Sequence, residues 1–552
     1  MSLLSRIHRS IARTTILTVT LTGCQRCQSP IGQPKLLPSL PQDPFVQVYF
    51  NQNQAAEYEE PFRPQQRFGD DLEREIVETI AAANSTVEVA VQELRLPKIA
   101  AALVERHQAG VRVRVILENN YSRPWSDLTP AEVQSLDERS RDRYEEFFAL
   151  VDRNGDRKLT SDEINQGDAL VMLRQAGVPV LDDTADGSKG SGLMHHKFAI
   201  VDGTTAIVTS ANFTTSSIHG DFQSPNSRGN ANNLLKITSP EFAIGLLEEF
   251  DIMWGDGPGG KPDSVFGVKK PPRQIPPLQL GDNRITVQFA PTRAKVPFDE
   301  SVNGLIGKTL ATAKSSIDLA LFVFSEQRLV NEIQTIHQQG TKVRSLIDPS
   351  FAYRYYSEAL DMLGVTLPDR RCKYEPGNRA WQNPIATVGV PQLPPGDKLH
   401  HKFAIIDDRT IITGSHNWSA SANEQNDETL LVITNPTVAA HFVREFDRLY
   451  QGASLGISSK LKDKIEQLQK TCPLQASNYQ AATDPDSSTP QKINLNTATQ
   501  EELETLPGVG PVLAKRIIEA RSDRRFTSLA DLDRVPGIGP KMLEKLGDRV
   551  TF

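Results

Sequence analysis

Residues 195–202 read HHKFAIVD, and residues 400–407 read HHKFAIID. Side chains alternate between the two faces of an extended strand, so His195 and Lys197 face the same side of the first stretch. The matching pair in the second stretch does the same. The sequence therefore predicts two strands that each present a histidine and a lysine to one surface, with the second histidine of each stretch packed on the other face.

These stretches belong to a long internal repeat. Before each stretch the chain reads strand, helix, strand, at residues 87–91, 99–108 and 111–117 in the first copy and 317–323, 329–339 and 343–347 in the second. After it, NNLLKITSP at 232–240 matches ETLLVITNP at 428–436, and an amphipathic helix follows in both copies. The alternation predicts an α/β fold with two lobes that share one cleft.

The 552 residues exceed one hydrophobic core, so several domains are expected. We predict a lipoprotein signal peptide at 1–23, a tether at 24–44, a first lobe at 45–255 with an insert at about 125–175, a linker at 256–283, a second lobe at 284–453, a linker at 454–490 and a small all-α domain at 491–552. The net charge of -7 excludes attraction to nucleic acid by bulk charge, so any DNA binding must be local.

The N-terminal residues resemble a bacterial export signal. Three arginines precede the short apolar run at 14–22, which is too short to span a membrane, and LTGC at 21–24 resembles the lipobox, in which the cysteine is lipidated. We expect lipidation of Cys24 and an extracytoplasmic protein anchored to a membrane, or otherwise a secreted one. Cys27, Cys372 and Cys472 have no metal-ligand spacing, and the sequence does not say which of them pair.

A shared spacing links both motifs to a known family. In each copy, His-x-Lys is followed after four residues by an aspartate and after six more by TSAN at 209–212 or GSHN at 414–417. This pattern resembles the signature of the phospholipase D superfamily, over roughly residues 45–453. The resemblance implies two α/β lobes around one active site, and cleavage of a phosphodiester through a phosphohistidine intermediate.

The residue types suit that chemistry. Two lysines can neutralise an anionic phosphodiester without a metal, so no catalytic cofactor is expected. One histidine can attack phosphorus while the other protonates the leaving oxygen, and by resemblance the first is the nucleophile. The predicted catalytic residues are His195, Lys197, Asp202, His400, Lys402, Asp407 and Glu428, and the predicted phosphate-binding residues are Ser210, Asn212, Ser415 and Asn417.

The two copies differ at positions that would make the lobes unequal. Residues 426–428 read NDE, which resembles the family's Asn-x-Glu, whose carboxylate orients a histidine, whereas residues 230–232 read NAN. One histidine would then have an acidic partner and the other an amide. The sequence leaves open which histidine Glu428 contacts. Thr209 also stands where the second copy has Gly414.

The first copy carries an insert that the second lacks. Residues 152–163 read DRNGDRKLTSDE and resemble an EF-hand loop, so a structural or regulatory Ca²⁺ is expected, with a solvated acidic loop as the alternative. Arg157 stands at the sixth position, where the family has glycine, and it should lower the affinity. The predicted ligand positions are Asp152, Asn154, Asp156, Lys158, Thr160 and Glu163.

The C-terminal sequence contains two glycine hairpins, LPGVGP at 506–511 and VPGIGP at 535–540. It resembles the tandem helix-hairpin-helix domain of competence-type DNA-uptake proteins. Such turns direct backbone N–H groups at a phosphate, which implies DNA binding without base readout, with protein docking as the alternative. The predicted DNA-binding residues are Gly508, Gly510, Lys515, Arg516, Gly537, Gly539 and Lys541.

Three functions share this fold. The favoured one is a sequence-nonspecific nuclease acting on DNA, because a DNA-binding tail raises the substrate concentration at the cleft. The second is a phospholipase D hydrolysing membrane phospholipids such as phosphatidylcholine or cardiolipin, which a membrane anchor would favour. The third is a non-catalytic DNA-binding or uptake factor, which the nearly complete motifs disfavour. A monomer is expected.

Overall fold

The computed structural model describes residues 36–187, 192–273, 275–293, 295–375, 377–472 and most of 493–552. Within the last range, residues 505, 507, 508, 510, 540, 541, 544, 545, 547 and 548 are outside the described set. The predicted lipidation at Cys24 falls outside the described residues as well. No helix in the part of the chain that the structure describes is both long enough and apolar enough to cross a bilayer.

The first lobe alternates strands and helices as predicted. Its elements are β1 (Val46–Phe50), β2 (Glu57–Glu59), β3 (Gln66–Phe68), α1 (Leu72–Ala81), β4 (Thr86–Val91), α2 (Pro97–Gln108), β5 (Arg112–Leu117), α3 (Pro130–Ser135), α4 (Glu138–Val151), α5 (Ser161–Gly167), α6 (Ala169–Ala176), β6 (Val180–Asp182), β7 (Lys197–Val201), β8 (Thr205–Thr209), α7 (Thr215–Ile218), β9 (Asn233–Thr238) and α8 (Pro240–Trp254). Capping residues set several helix starts. Ser239, for example, accepts the N–H of Phe242 at the start of α8.

The second lobe repeats this order and continues into a further helix. Its elements are β10 (Leu278–Leu280), β11 (Asn283–Ala290), α9 (Val302–Leu310), β12 (Ser316–Leu321), β13 (Phe324–Ser325), α10 (Gln327–Gln338), β14 (Lys342–Ile347), α11 (Glu358–Met362), β15 (Val388–Val390), β16 (Lys402–Ile406), β17 (Thr410–Gly414), β18 (Trp418–Ser419), α12 (Ala420–Glu424), β19 (Glu428–Thr434), α13 (Pro436–Tyr450), β20 (Ser454–Leu455) and α14 (Ser459–Thr471).

The two large sheets have one topology. The strands of the first sheet lie in the order β1-β9-β8-β7-β4-β5-β6, and the equivalent strands of the second lie in the order β11-β19-β17-β16-β12-β14-β15. In both sheets the last three strands pair in parallel and the others pair antiparallel. The predicted α/β architecture with two lobes is confirmed.

One hydrophobic core extends through both lobes. Phe50 of the first lobe packs edge to face on Phe442 of the second, with ring centroids 5.1 Å apart. Backbone hydrogen bonds also cross the interface. The His195 N–H donates to the Asp427 carbonyl at 2.9 Å, and the His400 N–H donates to a backbone carbonyl of the first lobe at 3.1 Å. Docking of the lobes therefore fixes the backbone of both motif histidines.

The segment that connects the lobes takes part in their packing. The sequence predicted a linker at 256–283, but β10 and the first residue of β11 lie within it. Lys270, in the same segment, is 8% exposed and enters the lobe interface. The absence of periodicity indicated a linker because the segment is irregular, and irregular backbone can still carry a buried side chain.

Helix α14 is attached to the second lobe by apolar contacts and by a disulfide. Leu461 is fully buried, and Ile465 and Leu468 pack on the core of that lobe. Cys372 forms a disulfide with Cys472, which directly follows the helix. The structure thus supplies the pairing that the sequence left open.

The C-terminal module has a small core of its own. Its described elements are β21 (Ile493–Asn494), α15 (Gln500–Glu504), α16 (Pro511–Asp523), a 3₁₀ turn at Leu529–Arg534 and β22 (Val550–Thr551). The prediction of an all-α domain was close, but β21 and β22 form a short parallel pair that joins the two ends of the module.

Candidate active site

Both motif histidines line one cleft of about 700 Å³ between the lobes. His195 stands two residues before β7, and His400 stands two residues before β16. The two residues are only 7% and 9% exposed. Burial lowers the pKa of both rings well below the ordinary histidine value, which favours their neutral forms.

Each histidine has a hydrogen-bond partner from the opposite lobe. His195 Nδ1 lies 2.8 Å from Glu428 Oε2, and His400 Nδ1 lies 2.9 Å from Asn232 Oδ1. The two partners occupy equivalent positions in the repeat, at the start of β19 and just before β9. The carboxylate therefore belongs to the first histidine and the amide to the second, and this crossed pairing requires both lobes.

The two motif serines hold these partners in place. Ser210 Oγ donates to Asn232 Oδ1 at 2.8 Å, and Ser415 Oγ donates to Glu428 Oε2 at 2.6 Å. Both serines are fully buried, and each hydroxyl also accepts a backbone N–H. The hydroxyl protons of the two serines thus orient the groups that orient the histidines, and direct phosphate binding by these serines stays a prediction.

The motif asparagines remain candidates for phosphate binding. Asn212 is half-buried and lines the cleft. The side-chain oxygens of Asn212 and Asn417 are buried without a hydrogen-bond partner among the described residues. Phosphate binding by these two residues stays a prediction.

The two motif lysines lie next to the histidines. Lys197 Nζ donates to the His195 carbonyl at 2.9 Å, and Lys402 Nζ donates to the His400 carbonyl at 2.7 Å. Burial lowers the pKa of Lys197 to about 7 and that of Lys402 well below its ordinary value. An anion in the cleft would raise these pKa values again, because it stabilises the protonated forms. The cluster is therefore suited to an anionic ligand.

The motif aspartates, predicted to be catalytic, are not among the residues that line the cleft. The Asp202 carboxylate accepts backbone N–H groups of residues 84–86, and Asp407 makes the same bonds to residues 314–316. Each aspartate is five residues beyond its lysine, about 16 Å along an extended chain. Their bonds fasten the turn before β4 or β12, so they support the sheet.

In the C-terminal module, Arg516 donates to the Pro536 carbonyl at 2.9 Å, beside Gly537, whose φ is 102°. This bond braces the second hairpin. Lys515 and Arg516 are exposed, as a phosphate contact requires. The predicted contacts at Gly508, Gly510 and Lys541 fall outside the described residues, and the DNA-binding role of this set, Gly539 included, stays a prediction.

Comparison with protein families agrees with this geometry. The family model "Cardiolipin synthase, PLD-like domain" matches residues 76–254 and 306–450, which is more than half of the chain. The chain belongs to the phospholipase D superfamily. A second model, "Helix-hairpin-helix motif", matches residues 488–551, so this superfamily member carries a helix-hairpin-helix module.

Similar proteins fall into two groups. The human protein named mitochondrial cardiolipin hydrolase is 30% identical over 158 residues, which are 28% of this chain and 54% of that protein. This chain thus spans about half the length of that relative. ComE operon protein 1 of Bacillus subtilis is 45% identical over 60 residues, 11% of this chain and 29% of that protein. Among solved structures, the phospholipase D family member Nuc of Salmonella typhimurium is 21% identical with a TM-score of 0.24, over 32% of this chain and 98% of Nuc.

Behind His195, the phospholipase D lobes bury an ion network that the sequence did not reveal. Lys270 Nζ lies 2.6 Å from the Asp427 carboxylate and also contacts the Glu249 carboxylate. Arg273 donates to Glu249 at 2.9 Å. Although burial disfavours the charged form, Asp427 and Glu249 raise the pKa of Lys270. The network anchors Asp427, whose carbonyl accepts the backbone N–H of His195.

A metal does not suit this network. His196, Glu249 and Asp427 form the one group of three close metal-type side chains in the described ranges. His196 Nε2 is 3.4 Å from Glu249, and its Nδ1 bonds the Thr429 hydroxyl at 2.8 Å. Because the Lys270 ammonium contacts both carboxylates and the Arg273 guanidinium also pairs with Glu249, the donor set serves as a buried ion network.

The walls of the cleft contain further residues that the sequence did not identify. The first-lobe wall includes Gln92, Glu93, Tyr121, Arg139 and Arg143, and the second-lobe wall includes Phe322, Phe351 and Lys398. Arg139 and Arg143 belong to α4, so the insert contributes to the cleft as well as carrying the calcium-type loop. Aligning the two copies would have found Gln92 and Phe322, because each directly follows the first strand of its repeat.

The calcium-type loop has part of the expected geometry. It connects α4 to α5, and Asp152 accepts the backbone N–H groups of Gly155 and Arg157, each at 2.9 Å. Arg157 has a φ of 61°, the left-handed conformation that favours glycine. Glu163 accepts the Thr160 hydroxyl at 2.8 Å and so caps α5. Calcium binding stays a prediction, and Glu163 would have to give up its capping bonds to become a ligand.

We predict that Arg157→Gly raises the calcium affinity of the loop by up to about tenfold. The change removes a positive charge beside the bound calcium ion. It also removes about 1–2 kcal/mol of backbone strain, because glycine adopts the left-handed conformation without a Cβ clash. Isothermal titration with calcium measures the affinity. Arg157→Ala removes the charge but keeps the Cβ atom, so the difference between the variants reports the backbone contribution. Absence of calcium binding in the wild type and both variants would show that the loop is a solvated turn.

Proposed function

We propose that this chain hydrolyses phosphodiester bonds of DNA without sequence preference, through a phosphohistidine at His195. The observation that carries the proposal is the crossed pairing of His195 with Glu428 and of His400 with Asn232 at one cleft. It supplies two oriented histidines for a reaction with a covalent intermediate, and their unequal partners distinguish the nucleophile from the acid.

His195 is suited to attack phosphorus. With its Nδ1–H donated to Glu428, its Nε2 carries a lone pair. When Nε2 bonds to phosphorus, the ring gains a positive charge, which the Glu428 carboxylate stabilises across 2.8 Å. The bond from phosphorus to the leaving oxygen breaks in the same displacement.

His400 is suited to protonate the leaving oxygen from its imidazolium form, which an anionic phosphodiester in the cleft would favour against the effect of burial. Its partner is a neutral amide, which stabilises an imidazolium less than a carboxylate does, so the proton is released more readily. Once the alcohol has left, neutral His400 can take a proton from water. That water attacks phosphorus and releases His195, and Lys197 and Lys402 neutralise the phosphoryl oxygens in both steps.

DNA is the favoured substrate because the same chain carries a helix-hairpin-helix module. Its similarity to ComE operon protein 1 supports DNA binding, which would concentrate phosphodiesters at the cleft. Phospholipid is the alternative, supported by the similarity to proteins named cardiolipin hydrolase. A non-catalytic uptake factor is disfavoured, since it would not need two serines to orient the partners of the histidines.

We also propose an extracytoplasmic location. The Cys372–Cys472 disulfide supports an oxidising compartment, because disulfides are rare in reducing ones. The predicted lipid anchor at Cys24 would place the enzyme on a membrane.

The test uses soluble protein that starts after Cys27, with EDTA present. It is incubated with single-stranded and double-stranded DNA and, separately, with phosphatidylcholine and cardiolipin vesicles. We expect DNA cleavage that survives chelation and is absent in His195→Ala. Hydrolysis of lipid alone would instead support the phospholipase alternative, and dependence on a divalent cation would contradict the metal-free scheme.

A further inference from the structure

The repeat places equivalent residues on the two sides of the cleft, and their chemistry differs. Tyr121 and Phe351 each stand four residues beyond the second parallel strand of their lobe, which ends at residue 117 or 347. Gln92 and Phe322 each directly follow the first. All four line the cleft.

The first-lobe side is polar at the equivalent positions, although the Phe222 ring also lines this side of the cleft. Gln92 Oε1 lies 3.4 Å from Lys197 Nζ. The Arg143 guanidinium lies over the Tyr121 ring at 5.1 Å and 3.7 Å from the Glu93 carboxylate. One face of the Tyr121 ring is therefore partly covered by the Arg143 guanidinium, which is itself paired with Glu93.

The second-lobe side is aromatic. The Phe322 ring lies 4.9 Å from the His400 ring and 4.8 Å from the Phe351 ring, measured between centroids. Lys402 Nζ lies 5.0 Å from the Phe322 ring. Both phenylalanines are half-buried, so part of each ring remains open to the cleft beside the proposed general acid.

The proposed function, on which this inference rests, assigns the leaving group to one of the two sides. If His400 protonates the leaving oxygen, the leaving group lies on the aromatic side of the cleft. We propose that Phe322 and Phe351 form a stacking platform for the nucleobase of the leaving nucleotide. Aromatic side chains bind every base through its face, so such a platform orients the leaving group without sequence preference.

The surroundings favour a base over an acyl chain. The apolar surface at this side consists of two rings, and polar or cationic residues border it, namely Ser350, Lys398 and His400. A lipid chain would need a longer apolar surface, whereas a nucleotide presents a flat ring next to an anion.

The test combines an enzyme variant with a modified substrate. Single-stranded oligodeoxynucleotides carry one abasic tetrahydrofuran residue on either the leaving side or the retained side of the mapped cleavage position. We expect Phe351→Leu to slow cleavage of the unmodified oligonucleotide about tenfold. With the abasic residue on the leaving side, the wild type should slow by a similar factor and the variant should lose nothing further.

The matched control is Tyr121→Leu, at the equivalent position of the other lobe. Its effect should multiply with that of a leaving-side abasic residue. Phe351→Trp keeps an aromatic face, so it should retain the wild-type pattern, and a thermal melt of Phe351→Leu checks that its loss does not reflect misfolding.

Two outcomes would overturn the proposal in distinguishable ways. If DNA is cut but the effects of Phe351→Leu and the leaving-side abasic residue multiply, the nuclease function stands and the platform is wrong. If no oligonucleotide is cut while cardiolipin vesicles are hydrolysed, the proposed nuclease function fails and the platform fails with it.

Discussion

His400→Asn is expected to reduce DNA cleavage by about 10²–10⁴-fold while leaving the first-step burst of 4-nitrophenolate from bis(4-nitrophenyl) phosphate, whose leaving group departs as an anion without a proton donor. His195→Ala is expected to abolish both activities, because no nitrogen remains to form the bond to phosphorus. The steady-state rate on DNA and the pre-steady-state burst on the activated substrate measure the difference. The two variants separate general acid from nucleophile more directly than pH profiles, since the titrations of the clustered histidines and lysines are coupled.

His107→Asn is the matched control, because His107 belongs to α2 and does not line the cleft. It should leave both rates unchanged. A second measurement follows the covalent intermediate. In His400→Asn the water lacks a general base, so labelled phosphate from the activated substrate should remain on the protein. If His195→Ala spares the activated substrate and His400→Asn does not, the two roles are reversed.

Lys270→Met is expected to lower the free energy of unfolding of the two lobes by about 3–5 kcal/mol, because it leaves buried carboxylates without their ammonium partner. Glu249 and Asp427 are 2–3% exposed, so water cannot replace the lost contact. Urea denaturation followed by fluorescence measures the change. Activity should fall as well, since Asp427 accepts the backbone N–H of His195.

Lys261→Met provides the comparison for this effect. Lys261 lies in the same segment, but its side chain is 83% exposed and its distance to Asp256 is 3.7 Å. Exposed pairs contribute about 0–1 kcal/mol, so this variant should unfold like the wild type. A loss below about 1 kcal/mol in Lys270→Met would mean that the segment is held by its apolar contacts and not by the ion network.

The sequence predicted those features that depend on neighbouring residues. The strand period placed His195 and Lys197 on one face, and the repeat predicted two equivalent lobes. The same strand geometry separates Asp202 from His195, because residues 195 and 202 are about 23 Å apart in an extended strand. A shared motif spacing therefore does not mean that every residue of the motif reaches the same site.

Other features depend on how the lobes dock, and no local pattern carries that information. The crossed pairing of His195 with Glu428 joins residues 233 positions apart. Lys270 comes from a segment rich in glycine and proline, where periodicity gives no indication of burial. Phe322 was accessible to sequence reasoning only through comparison of the two copies, since a phenylalanine after a buried strand ordinarily indicates core.

On the proposed function, the disulfide after α14 would limit the footprint of the enzyme on DNA. The roughly 20 residues between Cys472 and Ile493 can reach at most about 70 Å in any conformation. At about 3.4 Å per base pair, that reach corresponds to about 20 base pairs of duplex. With that segment fully extended, a shorter duplex would have difficulty reaching both the helix-hairpin-helix module and the cleft. A longer duplex can be bound by the module at one point and cut in the cleft at another. Reduction of the disulfide would release the end of α14 and so increase this maximum reach.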